Sequence, residues 1–114
     1  MPTTINRGVD ITGNPTPITV TSSASAGFSM AGAAGALVIV VAVRSGATKL
    51  TFRVKISQAS TDTPATLVGS TGTTVEQTIA ANQVFDLPPG LFAAPWVMPV
   101  CDAGEADIRV VAKT

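Results

Sequence analysis

Histidine and tyrosine are absent from this chain, and cysteine occurs once. Without an imidazole the many Ser and Thr hydroxyls lack the usual base that would make them nucleophiles. One thiol and no imidazole also fall short of a tetrahedral zinc site. A lone Cys101 excludes an intramolecular disulfide. With no basic residue near it in sequence, it reads as a small hydrophobe at a strand end, not a reactive thiol. Charge is scarce too. Only 12% of residues are charged, against about 25% in ordinary soluble domains, and Ile11 to Val43 carries no ionisable side chain. Seven basic residues balance seven acidic ones, so there is no basic footprint for nucleic acid or an anionic membrane. Arg44, Lys49, Arg53 and Lys55 read as a solvated strand face, because no aromatic interleaves with them. These absences disfavour an enzyme and predict no cofactor, no metal, no nucleic-acid partner and no membrane partner.

What is present is Thr, Ala, Val, Gly and Ser, in 114 residues and 11.5 kDa. That length supports one domain with its own core. A monomer of this mass exposes on the order of 5,800 Å², or roughly 400 Å² per charge. Neutral residues must cover the rest, and such a surface is poorly protected against self-association. Much of it is therefore expected to be covered by copies of the chain or by a larger body. The charge-free stretch Ala24 to Val43 has the length of a membrane span, but its first half is weakly apolar and its second half is β-branched and strand-length. Two strands around a Gly/Ala turn are the better reading. No basic segment precedes it, so it does not read as a signal peptide.

Residues 1–17 hold five turn-forming prolines and glycines, and Asn14, with little periodicity and read as an extended N-terminal arm. Ile5, Arg7, Val9 and Ile11 are its candidate interface residues, the spaced apolar ones suited to docking as a short strand on a neighbour. Residues 18–114 read as one β domain. Ile18 to Thr21, Phe28 to Met30 and Leu37 to Val43 are strands, the last apolar on both faces as in a strand covered on two sides. A hairpin turn at Ser45 to Thr48 leads into Lys49 to Ser57, where Leu50, Phe52, Val54 and Ile56 alternate with Lys49, Thr51, Arg53, Lys55 and Ser57. Thr66 to Val68, Val75 to Ile79 and Val84 to Leu87 are further short strands. A helical turn is expected at Leu91 to Ala94. Trp96 to Cys101 is a strand, a hairpin turn follows at Asp102 to Glu105, and Ala106 to Lys113 closes the chain. There Ile108, Val110 and Ala112 face in and Val111 is the exception on the polar face. The pattern predicts an all-β fold, an antiparallel β-sandwich of jelly-roll type.

Asp102, Glu105 and Asp107 cluster, but turn chemistry accounts for Asp102, since Asp caps backbone donors in turns. Three carboxylates are few for calcium. Phe28, Phe52 and Phe85 read as core. Phe92 and Trp96, beside a proline corner, are candidate interface residues. For Trp96 three roles stay open: closing the core, anchoring a subunit interface, or stacking on a sugar.

The segments TFRVKIS (Thr51 to Ser57) and Asn82 to Thr114 carry a strand, a DLPPGLFA corner at Asp86 to Ala93, an aromatic strand, a Cys101-Asp102-Ala103 turn and a closing Val-rich strand. In this they resemble the small β-sandwich virion proteins of tailed bacteriophages. Pro95 and Trp96 depart from that pattern, and Pro99 demotes its strand toward an edge or a bulge. The resemblance implies a structural part of the virion, made in the host cytoplasm. A capsid decoration (cement) protein on the capsid surface leads, bound to the major capsid protein and to itself as a trimer or other small oligomer. A tail, neck or fibre-base component is the alternative, and a carbohydrate-binding module using Trp96 a third. No catalytic residue is implied.

Overall fold

Alternation over Lys49–Lys55 and, but for Val111, over Glu105–Lys113 organises the molecule, because each of these strands becomes the centre of a sheet. The computed structural model of the chain describes residues 8–10, 16–23, 26–30, 33–92 and 94–113. In chain order the strands are β1 (Gly8–Asp10), β2 (Ile18–Val20), β3 (Gly35–Arg44), β4 (Lys49–Lys55), β5 (Ala65–Thr66), β6 (Gln77–Thr78), β7 (Gln83–Asp86), β8 (Trp96–Cys101) and β9 (Glu105–Lys113). Among the described residues one 3-10 turn spans Pro89–Leu91. It begins two residues before the expected helical turn, because proline suits the first position of a helix.

All pairing is antiparallel, in two sheets. In the first, β3 runs along one side of β9 and β7 pairs with the far side of β3. The other side of β9 is shared end to end by β1, against Val111 to Lys113, and β2, against Ala106 to Ile108. In the second, β8 runs along one side of β4, while β5 and β6 share the other. Phe28, expected within a strand, forms one bridge to Val97 of β8. One apolar cluster draws on both sheets: Val38, Val40, Ala106, Ile108 and Val110 from the first, Leu50, Phe52, Val97 and Cys101 from the second. Each fully buried large side chain contributes roughly 1.5–3 kcal/mol.

Pro99 sits inside β8, opposite Phe52. The amides of Val97 and Cys101 donate away from β4, to the carbonyls of Phe28 and Thr21 at 2.8 and 2.9 Å. Backbone direction alternates along a strand, so Pro99 shares that outward side and its missing N–H removes no bond to β4.

Several expectations are corrected. The turns at Ser45 to Thr48 and Asp102 to Glu105 are not hairpins: β3 and β9 lie in one sheet, β4 and β8 in the other. Both turns carry the chain from sheet to sheet. Ile56 does not face the core; β4 ends at Lys55, and Ile56 is 72% exposed. Among the described residues β3 is covered on one face only, with Leu37 and Val41 exposed. Gly8–Asp10, read as part of an arm, pairs with the chain's own β9; Ile5, Arg7 and Ile11 lie outside the described residues.

Candidate functional site

Two surfaces stand out, one for its carboxylates and one for its exposed aliphatic side chains. The first is the corner where both sheet-to-sheet crossings lie side by side. Asp102 accepts the amides of Thr48 and Lys49 at 2.9 and 3.0 Å through Oδ1, and the Thr48 hydroxyl donates to Oδ2. These donors, Thr48 hydroxyl first, hold the Asp102 carboxyl well below the usual carboxylate range. The side chain thus caps the opposite crossing, not only its own turn.

Beside it the Arg44 guanidinium forks between two carboxylates. Its Nη1 and Nη2 donate to Asp107 at 2.6 and 3.1 Å, and Nη2 and Nε to Glu105 at 3.0 and 3.3 Å. Asp107 also accepts the Thr19 hydroxyl at 2.8 Å. Arg44, then Thr19, lower the Asp107 pKa against the effect of burial, and the two carboxylates raise that of Arg44. Planar bidentate pairing of this kind fixes geometry more than it adds stability in water. Gly104, with φ +61, fits under the first crossing: an added Cβ would lie 2.1 Å from the Arg44 carbonyl oxygen. The three clustered carboxylates are thus held by donors across the corner. Among the described residues no group of three or more His, Cys, Asp or Glu is placed to hold a metal ion.

The second surface is the outer face of the first sheet. Leu37, Val41 and Val84 are exposed at 43%, 42% and 56%, with Ile39 and Val111 half-buried among them. The ladder shifts register between Val40 and Ala42, and this bulge leaves Val41 as the extra, outward residue. Two features of the sequence pointed here: apolar residues on both faces of Leu37 to Val43, and Val111 as the exception on its polar face.

The candidate interface residues do not converge. Val9 pairs with Ala112 in the first sheet. Phe92 ends the 3-10 turn, half-buried against the core. Trp96 opens β8 opposite Lys55 in the second sheet, half-buried. Its indole lies so close to Gly27 that a Cβ there would come within 2.4 Å of Nε1. Cys101 is buried, with its Sγ 3.4 Å from the Val20 carbonyl; burial raises its thiol pKa, so the unreactive form is favoured. Among the described residues no helix is long and apolar enough to cross a membrane, and most of the second half of the charge-free stretch lies within β3.

No protein-family model, curated protein or solved structure matches the chain.

Proposed function

We propose that the two sheets stack as a jelly-roll-like β-sandwich and that the protein is a non-enzymatic structural part of a virion, a capsid decoration protein seated on the outer shell. The observation that supports this most is the exterior: formally neutral and only 12% charged, with large aliphatic side chains in water on one sheet face. Scattered exposed apolar residues are ordinary, but a contiguous group on one face marks an interaction surface. The clustered carboxylates support a structural role, since Asp102, Glu105 and Asp107 serve to join the two crossings. The resemblance over Thr51 to Ser57 and Asn82 to Thr114 favours a virion over other assemblies.

Binding only the assembled shell stabilises it by mass action. Many copies, each held weakly, attach firmly because linked contacts raise the effective concentration. Imaging purified particles of the phage or prophage encoding the chain is the direct test. The expected result is density for the protein at many equivalent positions across the shell, and particles lacking it that lose their contents at lower temperature. Absence from purified particles, or a ring confined to the tail axis, would overturn this assignment.

A further inference from the structure

The outer face of the first sheet carries a self-complementary pattern. In the ladder Val111 stands beside Leu37 and Leu37 beside Asp86; two residues along, Arg109 stands beside Ile39 and Ile39 beside Val84. Residues two apart share a face, so these six form one block. Its centre is aliphatic. Arg109 and Asp86 occupy diagonally opposite corners, about 12 Å apart from strand spacing and rise.

We propose that this face is the contact between two copies of the chain, paired about a two-fold axis. An axis lying between the two faces, perpendicular to the Arg109–Asp86 diagonal, sets each Arg109 over the second copy's Asp86. Leu37 and Ile39 then meet at the centre, and Val84 and Val111 fall close to the axis. The strands of the two copies cross at roughly 70°, near the orthogonal class of sheet packing. A symmetric contact must complement itself, and one cation and one anion across an apolar centre do so. A strongly acidic or basic partner would gain nothing from a block whose charges cancel.

The pairing also explains the sequence. β3 is apolar on both faces, as a strand covered on two sides would be, yet the described residues cover one. The block spans roughly 200 Å² in plan, about a quarter of a standard interface's 800 Å² or so per partner. The contact is therefore weak in solution and becomes effective where copies are held close together. It deepens the structural reading given above, but its test uses purified protein alone, so failure here and failure to find the protein on particles are separate results.

Sedimentation of the pure chain up to about 1 mM, where even a millimolar dimer is half formed, should give a concentration-dependent mass approaching two copies. Arg109→Asp and Asp86→Arg each place two like-charged pairs in the contact and should each raise the dimer Kd by about 100-fold. Mixed in equal amounts, the two variants restore both opposite-charge pairs, and the dimer should return. Rescue by mixing separates this contact from any interaction of Arg109 within its own chain. Val84→Lys, at an exposed position, should also abolish pairing with the circular dichroism of the fold unchanged, and it carries the test if either charge variant fails to fold. A wild-type chain that stays monomeric, a mass of three copies, a mixture no heavier than its parts, or a dimer that survives Val84→Lys would each overturn the proposal.

Discussion

Gly104→Ala should be among the most damaging single-methyl changes in the molecule. The residue has φ +61, and the new Cβ would lie 2.1 Å from the Arg44 carbonyl oxygen and 2.5 Å from that of Ser45. A left-handed conformation costs an alanine about 1–2 kcal/mol. Relieving the overlap needs a shift of about 1 Å in backbone, not in a flexible side chain, and overpacking of that kind adds about 1–3 kcal/mol. The total is about 3 kcal/mol, or about 12–24 °C in Tm for a domain near this size. Gly46 and Gly72 supply the controls. Both have positive φ, +88 and +83, and nothing within 4 Å of an added Cβ. Alanine there meets the conformational cost alone, partly offset by a less disordered unfolded chain, for about 1 kcal/mol. Urea titrations of the three variants measure the difference, provided the slope with denaturant is unchanged. If Gly104→Ala falls within about 0.5 kcal/mol of Gly46→Ala, the close stacking of the two crossings is not what the protein has in solution.

Phe52→Ala, at a fully buried site, should cost about 3–5 kcal/mol in the same titration, whereas Ile56→Ala, 72% exposed, should stay within about 0.5 kcal/mol. Equal losses would mean that the inward row of β4 continues past Lys55. Acid should loosen the corner, because Asp102 and Asp107 have folded-state pKa values below their ordinary 3.8. Their contribution is complete above that value and is lost as pH falls through the lower folded values. Asp102→Asn should therefore lower stability near neutral pH and flatten its decline below about pH 4; an unchanged acid profile would show that Asp102 contributes nothing to folding.

Much of the strand pattern was legible because alternation is a local property. Lys49–Lys55, Trp96–Cys101 and Glu105–Lys113 follow from which residues are apolar, and both tight turns follow from Gly, Ser and Asp. Which strands pair was not legible. A turn such as Ser45-Gly46 joins hairpin partners or crosses between sheets with the same residues. Here the crossing shows only in contacts distant in sequence, such as Asp102 accepting the Thr48 amide 54 residues away. Ile56 continues the alternation of β4 but lies beyond the end of the ladder, so period alone could not place it. Gly8–Asp10 has little strand propensity, and its pairing comes from the free edge of β9, a tertiary effect. The outer face of the first sheet was half visible: Leu37 to Val43 and Val111 looked doubly covered, and only the fold shows one cover missing.

Fastening both crossings at one corner makes the molecule unequal from end to end. Asp102 ties the start of β4 to the end of β8 in one sheet, and Arg44 ties the end of β3 to the start of β9 in the other. Thermal breathing should therefore begin away from the corner, with amide exchange slowing toward it. A body that yields at one rim and is rigid at the other can conform to a curved support without losing its shape.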